Sequence, residues 1–174
     1  MKKPSAASLP LPILDLRGKT ILGIDPAIAT IGYGAICDQT VLDYGVIVTP
    51  ASSPVYQRLK QIHDDVCELC EALKPDFVAI EMPFFARENT NAGKVLRALG
   101  VIELAVAESG MTEPIFLHQS QVKSAVAQYG AEKSEIQQAV MMIFNLPELP
   151  KPDDAADGLA IAYTAQTGAR ANVR

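Results

Sequence analysis

The stretch KPDDAADGLA, residues 151–160, sets Asp153, Asp154 and Asp157 within five positions of one another. On a helix, residues three apart share a face with Cβ atoms roughly 5 to 6 Å apart, so Asp154 and Asp157 can reach one ligand. Asp153, after Pro152 and before a run of alanines, fits a helix start, where a carboxylate caps the chain end and meets the positive end of the helix dipole. Asp157 lies a full turn in, beyond the reach of capping. Two more carboxylates follow apolar runs elsewhere in the chain: Asp25 after TILGI and Glu81 after FVAI. A charge at the mouth of a core strand faces the sheet rim, where open α/β folds place their sites.

Ala155, Ala156, Gly158 and Ala160 give the helix small sides, which lets its backbone approach the sheet and brings Asp154 and Asp157 toward Asp25 and Glu81. Four carboxylates crowded together raise each other's pKa unless cations offset them. Oxygen donors without a Cys or His set select Mg²⁺ or Mn²⁺ over zinc. Two such ions roughly 4 Å apart activate a water and stabilise a leaving oxygen in phosphodiester hydrolysis. The expected chemistry is that of a metal-dependent nuclease.

The elements that must position these groups follow from the apolar pattern. Residues 20–24 read as a buried strand ended by Asp25-Pro26, because proline stops ladder pairing. After an ATIG turn, residues 33–37 and 41–48 read as two more strands, so three antiparallel strands open the domain. Apolar positions 55, 59, 62, 66, 69 and 73 step like one face of a helix that Pro75 ends. Residues 77–80 form a fourth strand, 89–109 a long helix, 114–117 a short fifth strand, and 120–128, 132–144 and 153–165 three more helices. The order βββαβαβααα implies an α/β fold with a mixed sheet.

Composition bounds the rest. A chain of 174 residues, 49% hydrophobic and 20% charged, suits one globular domain. Its net charge of -5 argues mildly against a nucleic-acid partner, although carboxylates at a metal site lower the total without repelling phosphate. Cys37, Cys67 and Cys70 are too few for a disulfide framework and fit a reducing compartment. Cys67 and Cys70 form a C-x-x-C inside a helical pattern, read as packing in preference to redox or zinc chemistry. Residues 1–19 read as a flexible extension without a secretory cleavage site, residues 20–166 as the domain and 167–174 as a flexible basic tail. No apolar run reaches membrane-span length, and a cytoplasmic location is expected.

In order and spacing, ILGIDPAIATIGYG, VAIEMPF, QVKSAVAQYGAEKSEIQ and DDAADGLAIA resemble the motifs of the RuvC family of Holliday junction resolvases. The likeness runs from about residue 20 to 166. It implies an RNase H-like fold, a mixed five-stranded sheet with helices on both faces. It also implies a homodimeric crossover junction endodeoxyribonuclease that nicks two opposed strands of a four-way junction in recombination and repair. Carried over by motif, Asp25, Glu81, Asp154 and Asp157 would hold two Mg²⁺ ions per subunit, with Mn²⁺ substituting. Lys133 would be catalytic and, with Lys123, would meet phosphates. Phe84 or Phe85 would stack on an unpaired base, with Arg87 contacting DNA. The 89–109 helix would pair subunits, and a RuvAB-type branch-migration complex is an implied partner.

Ala27 stands where the family has a glycine after Asp-Pro. The acidity is the larger departure, since a basic DNA channel is implied. Arg87, Lys94, Arg97, Lys123, Lys133, Arg170 and Arg174 could line one. A RuvC-like nuclease acting on structured ribosomal RNA precursors shares the metal chemistry and is the rival within the fold. A catalytically weak junction-binding module is another. An actin-like ATPase shares the opening phosphate-loop pattern, but it needs a second domain for which 174 residues leave no room.

Overall fold

A computed structural model describes residues 15–83, 92–127 and 131–168. Strand β1 (Thr20–Asp25), β2 (Thr30–Cys37) and β3 (Thr40–Val48) are followed by helix α1 (Val55–Leu73), strand β4 (Phe77–Met82) and helix α2 (Ala92–Glu108). Strand β5 (Ile115–His118) then leads into α3 (Gln119–Val126), α4 (Lys133–Ile143) and α5 (Asp153–Gln166). The strands form one five-stranded sheet in the order β3-β2-β1-β4-β5. The first three pair antiparallel, while β4 runs parallel to β1 and β5 parallel to β4. This is the mixed sheet that the element order implies.

Side chains alternate across a strand, so each strand feeds two cores. Ile21, Ile36 and Ala79 pack with Leu159 and Ile161 of α5, Val122 of α3 and Val140 of α4. Leu22, Ile24, Ile31, Val78 and Ile80 pack on the other face with Ile62 and Val66 of α1 and Leu99 and Ile102 of α2. Every one of these side chains is at most 5% exposed. Packing reaches back before the first strand: Leu16 joins the α5 core, and the Gly18 amide donates to Asp38 Oδ1 at 2.9 Å. Residues 1–14 and 169–174, including Arg170 and Arg174 of the expected basic tail, lie outside the described residues. Among the described residues no helix is long and apolar enough to cross a membrane.

The sequence expectation fails at ATIG. These residues do not form a turn throughout, because β2 begins at Thr30, with Thr30 opposite Val48 of β3 and Gly32 opposite Asp25 of β1. Turn character is what glycine suggests, but here glycine serves a close approach. A Cβ on Gly32 would sit 1.8 Å from the Asp154 carbonyl oxygen, and one on Gly34 would sit 2.5 Å from the Leu159 amide nitrogen. A Cβ on Gly23 of β1 would meet the Gly158 carbonyl oxygen at 2.2 Å, and one on Gly158 would meet Tyr33 backbone carbon at 2.3 Å. Helix α5 therefore lies on β1 and β2 backbone against backbone, with a glycine at each contact.

Because main chain cannot yield as a side chain can, Gly158→Ala must lift α5 off the sheet. An overpacking cost of about 1 to 3 kcal/mol or more is expected, read as a lower urea midpoint with unchanged slope. Gly93→Ala on α2, where a Cβ meets nothing within 4 Å, leaves the midpoint unchanged or higher.

Candidate active site

Four elements deliver the acidic residues to one end of the sheet. Parallel pairing of β1 with β4 sets Gly23 opposite Ala79 and Ile24 opposite Ile80, and the next residues of the two strands are Asp25 and Glu81. Since Gly23 and Ala79 face α5, alternation turns Asp25 and Glu81 to that same face. Helix α5 presents Asp154 and Asp157 from its first turn and a half. Carboxylate oxygens of Asp25, Asp154 and Asp157 all lie within 4.8 Å of one another. Glu81 is outside that tight trio but close enough for its charge to act on Asp25 and Asp157.

Lys133 enters from the start of α4. Its backbone is fixed by a capping box in which the Glu135 carboxylate accepts from the Glu132 amide at 2.8 Å. The Lys133 ammonium donates to Asp154 Oδ1 at 2.9 Å and lies 3.4 Å from Asp157 Oδ2 and 3.3 Å from Asp153 Oδ2. Lys123, on α3 directly after β5, exerts its charge on Glu81.

Asp153 is corrected in role. The N-cap position of α5 is Pro152, with no side-chain cap, and Asp153 is the first helical residue. It remains in the turn that the helix dipole favours, but its carboxylate is paired with Lys133. Asp154, also in that first turn, takes the shorter contact. Phe84, Phe85 and Arg87 lie outside the described residues. Lys94 and Arg97 are exposed on α2, which covers the sheet face opposite α5, so they stand apart from Lys123 and Lys133.

One positioning residue had no sequence signal beyond its charge. Arg58 of α1 is 8% exposed, and its guanidinium donates to the Ile28 carbonyl and to Thr49 Oγ1, both at 2.8 Å. It thereby holds the loop that leaves Asp25 and Pro26. A buried arginine inside a helix pattern reads as a solvated charge until the loop carbonyl it satisfies is seen.

Electrostatics set the character of the site. Burial, reinforced by the charges of Asp157 and Asp154 and opposed by Lys133, raises Asp25 to about 7. Burial, with Asp25 and Asp157 adding to it, raises Glu81 to about 8. Burial also raises Asp157, against the pull of Lys133. Burial would lower the Lys133 ammonium, but its hydrogen bond with Asp154 and the surrounding carboxylates outweigh that and raise it. The site thus holds more anionic capacity than one lysine balances.

The donor set fits a hard divalent cation: three carboxylates converge, with a fourth beside them and no thiolate or imidazole in the group. A sequence model described as crossover junction endodeoxyribonuclease RuvC matches residues 21–165. The chain belongs to this RuvC family. The Thermomicrobium roseum RuvC is 44% identical over 82% of this chain and 89% of its own length. The Heliobacterium modesticaldum RuvC is 45% identical over 82% of this chain and 90% of its own. Among solved structures, Thermus thermophilus RuvC in complex with a Holliday junction substrate superposes with a TM-score of 0.78. It is 35% identical over 86% of this chain and 96% of that one. The yeast mitochondrial Holliday junction resolvase, at 17% identity and a TM-score of 0.52, shares the fold. The five-stranded sheet is accordingly that of an RNase H-like RuvC nuclease.

A carboxylate whose pKa is raised by folding holds its proton better in the folded state, so its stabilising effect is complete below its unfolded pKa. That effect is lost as pH rises through the folded value. For Asp25 and Glu81 the window runs from about 4 in the unfolded chain to about 7 and about 8 in the fold. Chelator-treated protein should therefore lose thermal stability between about pH 4 and 8, on the scale of those shifts. Asp25→Asn should flatten the decline. A divalent cation added at the alkaline end should restore the melting temperature.

Proposed function

We propose that this RuvC-family enzyme resolves Holliday junctions by metal-dependent nicking of two opposed strands, with Asp25, Glu81, Asp154 and Asp157 as the metal ligands. The convergence of Asp25, Asp154 and Asp157 within 4.8 Å, beside Glu81, is the observation that carries this reading. Mg²⁺, two ions per subunit, is the proposed cofactor, with Mn²⁺ as substitute. When bound, the ions supply Lewis-acid stabilisation of the attacking and leaving oxygens of the phosphodiester.

The chain's own residues do the rest. Asp25 and Glu81 sit on paired strands and Asp154 and Asp157 on a helix pressed to the sheet, so the four carboxylates are held in place by the fold. Lys133 brings a positive charge to the site, where it can meet a non-bridging phosphate oxygen. Lys123, whose charge reaches Glu81, is proposed to meet a neighbouring phosphate. Phe84 or Phe85, directly after the Glu81 strand, is proposed to stack on a base unpaired at the junction centre, with Arg87 on the backbone.

Matches to RuvC proteins across most of the chain favour junction DNA over structured RNA. Retention of all four carboxylates favours catalysis over a binding-only module. A homodimer is proposed through α2, which buries Leu99 and Ile102 against the sheet yet leaves Leu96 and Leu104 each 51% exposed. Two sites related by a two-fold axis match a two-fold substrate. The proposed setting is the bacterial cytoplasm, with a RuvAB-type branch-migration complex supplying mobile junctions.

Asp25→Asn and Asp157→Asn should each bind a synthetic four-way junction yet cut it at least on the order of a hundredfold more slowly. Normal cutting by either variant, in single-turnover gels, would remove these residues from the metal site. Leu96→Glu combined with Leu104→Glu should convert the sedimenting species to monomer and abolish paired nicking. A persistent dimer would displace α2 as the interface.

A further inference from the structure

Away from the carboxylates, the face of the sheet covered by α1 and α2 carries a second set of metal-type donors. His63 and Cys67 lie four apart on α1 and so share one helix face. Glu108, the last residue of α2, reaches them from the neighbouring helix. His63 Nε2 lies 2.9 Å from Glu108 Oε2 and 3.9 Å from Cys67 Sγ. One donor atom from each residue falls within 4.8 Å of the others.

The outer arrangement is informative as well. His63 Nδ1 faces Asp64 Oδ1 at 3.2 Å, and Asp64 is itself paired with Lys60. A carboxylate on one ring nitrogen fixes the tautomer and leaves the other as the ligand atom, which is the usual support of a metal-bound histidine. Here the nitrogen left over is Nε2, the atom aimed at Cys67 and Glu108. Cys70 is buried, with Ser109 as its hydrogen-bond partner and Cys67 close enough for its charge to act on it. Both thiols of the C-x-x-C are free, and Cys67 is the one whose sulfur faces His63.

We propose that His63, Cys67 and Glu108 form a zinc site that ties the middle of α1 to the C-terminal end of α2. One nitrogen, one sulfur and one carboxylate oxygen are the mixed set that borderline-soft Zn²⁺ takes and that Mg²⁺ does not. Tetrahedral zinc holds such donors about 3.3 to 3.7 Å apart, from metal distances of about 2.0 to 2.3 Å. The 2.9 Å and 3.9 Å separations bracket that spacing, so small side-chain rotations complete it. Three protein ligands leave a fourth position for water. The partial negative charge at the end of α2 favours a cation there.

The test is Zn²⁺ titration of the full chain by calorimetry with Mg²⁺ in large excess. Co²⁺ is then substituted to look for thiolate-to-metal charge transfer in the near ultraviolet. One Zn²⁺ per chain, a melting temperature raised by several degrees and a Co²⁺–thiolate band are expected. Asp157→Asn should leave all three unchanged. Cys67→Ser should abolish the band, and both Cys67→Ser and His63→Gln should weaken binding by about a hundredfold or more. Absence of Mg²⁺-resistant binding, or binding that survives both Cys67→Ser and His63→Gln, overturns the proposal. Circular dichroism of the two variants separates lost binding from lost fold.

Discussion

The site depends on how closely helix α5 lies on strands β1 and β2. Two of its four carboxylates ride on that helix and a third on β1, so the helix-to-sheet distance sets the distance between the carboxylates. Main chain meets main chain at Gly23, Gly32, Gly34 and Gly158, each at a spacing no Cβ could occupy. Ala155, Ala156 and Ala160 of the same helix are fully buried. Glycine in a strand interior weakens it, and glycine in a helix costs about 1 kcal/mol relative to alanine. The fold accepts those costs at four places to bring one helix within reach of one strand.

The same closeness creates an electrostatic debt. Carboxylates of Asp25, Asp154 and Asp157, with Glu81 beside them, are drawn into partly buried surroundings where, among the described residues, only Lys133 makes direct ion pairs. Desolvation, with their mutual repulsion added, raises Asp25 and Glu81 toward neutrality. Negative charge concentrated here also accounts for part of the chain's acidity. A net charge of -5 does not oppose DNA binding when the carboxylates responsible are themselves neutralised by divalent ions.

Much of this was legible in the sequence because the signals were periodic and local. Strand runs ending in Asp25 and Glu81, and the three-residue spacing of Asp154 and Asp157, are patterns that geometry converts directly into a shared site. What was not legible depends on partners distant in sequence. Gly32 reads as turn until the backbone of Asp154 is seen above it. Asp153 reads as a helix cap, yet it pairs with Lys133 from another helix. Arg58 reads as a surface charge until the Ile28 carbonyl is found. His63 and Glu108 are 45 residues apart, so only the packing of α1 on α2 shows that Cys67 has company. Phe84, Phe85 and Arg87 keep the status that motif likeness gives them.

Cleavage of a mobile four-way DNA junction, with strand ends mapped in Mg²⁺ across a salt series, bears most directly on the carboxylate cluster as a nuclease centre. The account predicts two symmetric nicks on opposed strands that require the metal and fade with rising salt, as a phosphate-contacting protein should show. Cleavage that persists in chelator, or that falls on structured RNA while sparing the junction, would contradict it.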